Sequence, residues 1–213
     1  MSQATATQVD PYFVDFPQRI REIQAAMAQQ GIDTYLGSRL RTLSWTLDAF
    51  CPWRSYVVIP PEGLPTAITF VIDAARVEDD SWLDEDHVWG YGPMGGQDQV
   101  SLLTDLILPH LPGGKGTVGI ESGMATYLPE GNLSQYEYEC LRAALPGANL
   151  VNAHGIVDRL SLIKDEGTIN RFREASRCVD VGHQAVLEAI RGGGYRGMTE
   201  TEIAGIAAKR WYS

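Results

Sequence analysis

The sequence predicts an α/β layered domain with a mixed sheet, followed by a helical segment, and three observations carry that prediction. Helical and strand-type patterns alternate over residues 16–152, which argues for helices layered on a sheet. Two apolar runs, 55–59 and 66–72, are separated by Pro60-Pro61-Glu62-Gly63, turn chemistry that joins antiparallel neighbours, so the sheet is not purely parallel. Residues 165–191 then carry one long helical stripe with no strand after it.

The elements follow in order. Asp15 and Pro17 stand where a helix cap and first-turn proline belong, Ile20, Ile23 and Met27 repeat at helical spacing, and Gly31 closes the segment. A strand is expected over 32–36 and a short helix over 39–48, where Leu40, Leu43 and Leu47 share a face. After the hairpin, the acidic stretch 78–86 reads as variable and 87–91 as a strand. Val100, Leu103, Leu106, Ile107 and Leu111 define an amphipathic helix closed by Pro112-Gly113-Gly114. A strand over 117–121, a helix over about 133–145 and a strand over 149–152 complete the domain. In the long helix, Ile169, Phe172, Ser176, Val179, His183, Val186 and Ile190 fall on one face. That face needs an apolar surface to lie on, and Ser176 and His183 are its polar interruptions. Thr199 and Glu202 carry capping-box spacing for a further helix.

Composition narrows the function classes. A chain of 213 residues with 44% hydrophobic and 21% charged residues folds into a globular domain with room for a second element. The formal charge of −10, without clustered Lys or Arg, argues against nucleic-acid binding. Neither a leader-like N-terminus nor a membrane-length apolar run is visible, so a cytoplasmic location is expected. The first ten residues read as loose. Cys51, Cys140 and Cys178 are spaced too widely for a zinc knuckle and read as buried free thiols.

Two passages carry a family resemblance. Arg159, Lys164, Asp165, Glu166, Ile169, Arg171, Arg173 and Ala175, with Gly167 among them, resemble the segment that joins the two domains of creatinase and Xaa-Pro peptidases. Gly197-Met198-Thr199-Glu200 resembles the helix start that follows it. Gly167 is a departure that weakens one helical turn. Upstream, residues 19–33, Arg54-Ser55-Tyr56-Val57-Val58-Ile59 and Val118-Gly119-Ile120-Glu121 resemble the N-terminal domain of the same family. The resemblance implies a three-layer domain with a mixed sheet flanked by helices, then the helical start of a truncated pita-bread domain. The division expected is an N-terminal extension at 1–15, the N-terminal domain at 16–158, and a linker with the first helices of an incomplete catalytic domain at 159–213.

For function, the resemblance implies the N-terminal portion of a C–N bond hydrolase of the creatinase or Xaa-Pro peptidase type. Such a portion contributes dimerisation and a substrate-contact loop and is not catalytically competent alone. The alternative is a non-catalytic peptide-binding or dimerisation module of the same family. The metal ligands of the hydrolases, two Asp, one His and two Glu, lie in the catalytic domain, so no catalytic or metal-binding residue and no cofactor is expected in this chain. A pair of divalent ions (Mn, Co or Zn) belongs to the full-length relative, where it would activate water; creatinase-like members use a histidine instead. His87, His110, His154 and His183 show no spacing that puts two on one helical face. The partner implied is a second copy or a separate catalytic domain, with a small-molecule or dipeptide substrate bound only in its company.

The candidate site is residues 50–56, Phe50-Cys51-Pro52-Trp53-Arg54-Ser55-Tyr56. It resembles the creatinase passage in which an aromatic and an arginine reach across a dimer to the substrate carboxylate. A guanidinium fork matches a carboxylate, and an aromatic wall packs apolar or cationic groups. Arg54, Trp53 and Phe50 are therefore the candidate substrate-binding residues. The plain structural reading of the same residues is a strand-start arginine paired with an Asp or Glu beside core aromatics.

Overall fold

The computed structural model describes residues 10–94, 97–123 and 130–212, so the expectation of a loose N-terminus lies largely outside the described residues. Asp15–Ile163 forms one compact unit; Lys164–Ser213, with the residues before Asp15, forms the other.

In the first unit, α1 (Phe16–Gln29) begins where Asp15 caps it, its carboxylate accepting from the Gln18 N–H at 2.8 Å, with a proline in the first turn. Then come β1 (Thr34–Gly37), α2 (Leu40–Leu47), β2 (Tyr56–Ile59) and β3 (Thr66–Phe70). After α3 (Ala74–Asp80) come β4 (Val88–Tyr91), α4 (Gln99–Ile107), β5 (Gly116–Ile120), α5 (Gln135–Ala144), β6 (Ala148–Asn152) and α6 (Gly155–Leu160). The six strands make one sheet in the order β4-β3-β2-β1-β5-β6. Its β1–β2 and β2–β3 pairs are antiparallel and the other three parallel, so the sheet is mixed as expected.

Alternation along the strands separates two cores. Tyr35, Val57 and Ile59 face one side, where Ile20, Ile23 and Met27 of α1, Leu43 and Leu47 of α2, Val77 of α3 and Val157 of α6 cover them. Leu36, Tyr56 and Val58 face the other, with Leu103 and Ile107 of α4 and Leu141 of α5. Helices on both faces of a twisted sheet give the three layers. Two elements differ from the sequence reading. The acidic stretch begins inside α3, a helix held by buried Val77, and α6 follows β6 directly. Both are too short to form on propensity alone and depend on the sheet beneath them.

The second unit contains α7 (Glu166–Arg191) and α8 (Glu200–Trp211). Asp165 caps α7 through the Thr168 N–H at 2.7 Å, and Thr199 with Glu202 forms the expected capping box on α8. Gly167 is not a weak turn: a Cβ there would lie 1.9 Å from the Phe13 carbonyl oxygen, so the residue is demanded by close backbone approach. The same segment is held by Asn170 Nδ2 donating to the Pro11 carbonyl and Arg171 Nε to the Tyr12 carbonyl, each at 2.9 Å. Gly182 plays a similar part, since a Cβ would meet the Trp211 indole at 2.0 Å.

Along the predicted stripe, Phe172 is 60% exposed and Val179, His183 and Ile190 are also exposed. The Ser176 hydroxyl donates back to the Phe172 carbonyl at 2.9 Å. Of the three thiols only Cys51 is buried; Cys140 is half-buried and Cys178 exposed, because α7 turns that face outward. No helix among the described residues is long and apolar enough to cross a membrane.

Substituting Gly167→Ala forces a methyl group into the Phe13 carbonyl and is expected to cost about 1–3 kcal/mol. Hydrogen exchange would show it as lost protection in the first turn of α7; protection equal to that of the parent chain would contradict the packing described.

Candidate functional site

The carboxyl ends of β1 and β5 meet where the chain connections diverge. From β1 the chain turns through α2 to β2, and from β5 it leaves through α5 to β6 on the opposite side. Such a crevice is where open α/β sheets receive ligands. Here the protein fills it with its own carboxylate. Glu121, fully buried, accepts from the backbone N–H groups of Ser38 at 2.7 Å and Arg39 at 2.8 Å, from the Tyr35 hydroxyl at 2.8 Å and from the Thr42 hydroxyl at 2.5 Å. Arg39 Nε adds a charged donor at 3.1 Å.

The Arg39 guanidinium reaches on to Asp158 on α6 at 2.9 and 3.3 Å and to the His154 carbonyl at 3.1 Å. Burial works against its charge, but the Asp158 and Glu121 carboxylates outweigh that and raise its pKa. Burial and the Glu121 charge hold the Tyr35 hydroxyl well above the ordinary phenol range. With every acceptor position met, the crevice holds a charge balanced by Arg39 and leaves no opening for an anion.

A second network stands at the start of β2. Arg54 presents its fork to Glu137 in the first turn of α5, Nε to Oε1 at 2.6 Å and Nη2 to Oε2 at 2.9 Å. Its Nη1 donates to the Gly131 carbonyl at 2.6 Å, and its Cζ lies over the Tyr56 ring, 4.8 Å from the ring centre. The Tyr56 hydroxyl donates to Glu137 and accepts from Gln99 Nε2. Glu137 also closes a capping box, accepting from the Ser134 N–H at 2.7 Å. Burial pushes the Glu137 carboxyl up, but the Tyr56, Ser134 and Arg54 donors outweigh it and hold its pKa below the usual carboxylate value.

Beside this network opens a cleft of about 750 Å³. Phe50 and Trp53 stand on its wall, 59% and 55% exposed, and the Trp53 ring packs 5.9 Å from Phe70. The structure thus brings Phe50, Trp53 and Arg54 to one cleft and separates their circumstances: the aromatics are free to meet a ligand, while each guanidinium nitrogen of Arg54 already donates within the chain. Glu137, Gln99 and Ser38 also line the cleft and were not identified from sequence. The Ser134-x-x-Glu137 capping spacing was the available signal for Glu137; nothing local marks the other two.

A family model described as the Creatinase/Prolidase N-terminal domain matches residues 19–163. The chain belongs to that family. A curated relative, the ectoine hydrolase of Halomonas elongata, is 27% identical over 207 residues, a stretch that covers 93% of this chain and 50% of the relative. Two solved structures share the fold. The Xaa-Pro dipeptidase of Bacillus anthracis matches with TM-score 0.64 and 19% identity over 93% of this chain and 49% of its own. The prolidase of Pyrococcus horikoshii matches with TM-score 0.62 and 17% identity over 92% and 48%. The chain therefore spans about half the length of the relatives it matches. Among the described residues of this creatinase/prolidase N-terminal domain and its helical unit, no group of three or more His, Cys, Asp or Glu could hold a metal ion.

Two outcomes are expected. Glu121→Gln leaves the Arg39 charge buried with less compensation and should cost about 3–5 kcal/mol in chemical denaturation; a cost within 0.5 kcal/mol, the ordinary surface range, would contradict the network. Glu137 and Asp158 both have folded-state pKa values below their unfolded ones. Their stabilisation is complete above the unfolded values of about 4.3 and 3.9 and is lost as pH falls through the lower folded values. Stability measured from pH 6 downward should therefore drop below about pH 4, and less steeply in Glu137→Gln; an unchanged slope in that variant would count against it.

Proposed function

We propose that this chain is the N-terminal portion of a C–N bond hydrolase, within which it supports dimerisation and carries a substrate-contact loop, and that it does not catalyse by itself. The observation that carries the reading is the match to ectoine hydrolase, which runs through the α/β domain and the helical unit alike yet takes in half of that enzyme. The exposed apolar side chains of α7, Phe172, Val179 and Ile190 among them, support it, because such a face is stable in water only when something covers it.

Ectoine ranks ahead of Xaa-Pro dipeptides as the substrate to test, since the dipeptidases are similar at a level that speaks for fold alone. In the loop, Phe50 and Trp53 would supply the apolar wall against the substrate. Arg54 would act chiefly as a positioning residue: a substrate carboxylate would have to displace Glu137 from a bidentate pair to claim it.

The 213-residue chain should show no turnover of ectoine, an X-Pro dipeptide or creatine with added Mn²⁺, Co²⁺ or Zn²⁺. The polypeptide read through the full reading frame should hydrolyse ectoine, and Trp53→Ala in it should raise KM by about tenfold with little change in kcat, as loss of a ground-state contact does. Turnover by the short chain, or an unchanged KM in the variant, would count against the reading.

A further inference from the structure

We propose that the free edge of β6 is a self-association surface, on which a second copy of this chain adds its own β6 antiparallel across a two-fold axis, so that two sheets become one. The inference rests on the dimerisation put forward above and names the surface that carries it. In the sheet, β6 (Ala148–Asn152) stands last, with β5 as its one neighbour. Its register with β5, together with the Ala153 N–H donating to the Ile120 carbonyl at 2.8 Å, turns the backbone groups of Asn149 and Val151 toward β5 and those of Ala148, Leu150 and Asn152 outward. Among the described residues the outward Leu150 and Asn152 N–H groups have no acceptor, while the Ala148 N–H donates to the Leu145 carbonyl at 3.0 Å.

Proteins shield such edges with charges, prolines or bulges, because an open row of donors and acceptors recruits another strand. β6 carries none of these: its residues are Ala-Asn-Leu-Val-Asn, each paired in unbroken register with β5. The opposite edge differs, since Tyr91 of β4 bridges Gln97 and the Gly92 N–H donates to the Gln97 carbonyl at 3.2 Å. A copy of β6 fits its own edge. With Leu150 on the axis, Leu150 of each copy donates its N–H to the Leu150 carbonyl of the other, and each Asn152 N–H meets the Ala148 carbonyl opposite. The occupied Ala148 N–H is left out of the pairing.

The helix beside the edge supplies an independent check on that register. On α5, Glu137 points to Arg54 and to Tyr56, which Gln99 of α4 also meets; Glu139 and Arg142 stand on the flank away from α4. They form an ion pair and are 43% and 64% exposed, so both remain open to a partner. Because the Ala148 N–H meets the Leu145 carbonyl, strand and helix are level there. Leu150 then lies about 6.6 Å along β6, a rise that leads back about four residues on α5, to Leu141. The axis through Leu150 therefore passes between Glu139 and Arg142, and the two-fold sets Arg142 of each copy against Glu139 of the other. A foreign strand brings no such counterpart, which makes a second copy the occupant.

The test follows the 213-residue chain by sedimentation equilibrium and residue-resolved amide exchange. A reversible dimer should form with a dissociation constant in roughly the micromolar range, as small interfaces do. On dimerisation the Leu150 and Asn152 amides should exchange about tenfold more slowly or better, while those of Asn149 and Val151, already bonded to β5, change little. Asn149→Lys, which sets a charge opposite Val151 of the other copy, should weaken the dimer by about tenfold. Arg142→Glu and Glu139→Arg should each weaken it by about fivefold to tenfold, and mixing the two variants should restore association, because each charge then meets its opposite across the axis. The proposal is overturned by a chain that stays monomeric up to about millimolar concentration, by a dimer whose Leu150 and Asn152 amides exchange as in the monomer, or by charge variants that associate alone as tightly as in their mixture. A dimer with those amides open would put the contact elsewhere and leave the dimerisation reading standing; a monomeric chain leaves the hydrolase reading to its own turnover test.

Discussion

The fold rests on one buried carboxylate. Glu121 lies at the end of β5 without solvent contact, and its donors come from β1, from the turn into α2 and from α2 itself. An anion at the mouth of a helix, facing backbone N–H groups, is the arrangement by which many α/β proteins hold a bound phosphate. Here the anion is covalently part of the chain, and Arg39 balances it. Because Arg39 then pairs with Asp158, α6 is tied to the same charge, so the centre of the sheet and helices α2 and α6 share one electrostatic anchor. Breaking such a set at one member leaves an uncompensated charge in a place that cannot hydrate it.

The second network depends on the first through the chain. Immediately after Glu121 comes the segment that leads to α5, and its far end is fixed by the Leu133 N–H donating to the Glu121 carbonyl at 2.8 Å. Two residues further along, α5 begins with a capping box that orients Glu137 toward Arg54. The arginine that resembles a substrate ligand is thereby committed to holding residues 50–54 in place, while the aromatics beside it stay uncovered. Position and availability have been divided between neighbouring residues.

Much of this architecture was legible in the sequence because its signals are local. Asp15 with Pro17, Asp165, and Thr199 with Glu202 mark helix starts within a few residues, and Pro60-Pro61-Glu62-Gly63 marks the hairpin that makes the sheet mixed. Helices α3 and α6 escaped because a few residues on a sheet leave no periodic run to read. The site was legible in part: Phe50, Trp53 and Arg54 do line one cleft. The partner of Arg54 was out of reach, since Glu137 stands 83 residues away, as was the role of Glu121, whose donors lie 79 to 86 residues upstream. Pairings of that kind exist only after the sheet has assembled, and no spacing rule anticipates them.

The apposition of Phe13 and Gly167 bears on the order of synthesis. Pro11 and Tyr12 are synthesised well before α7, since their contacts on it lie 159 residues downstream at Asn170 and Arg171. The intervening α/β unit can form its sheet while the chain is still being made, and the segment before it must then wait, unmatched, until α7 has emerged. Closing a loop that long carries an entropy cost, but preorganisation of the intervening unit shortens the effective loop. Of the two units, the helical one, discontinuous in sequence, is thus completed second, and translation sets the earliest moment at which it can form.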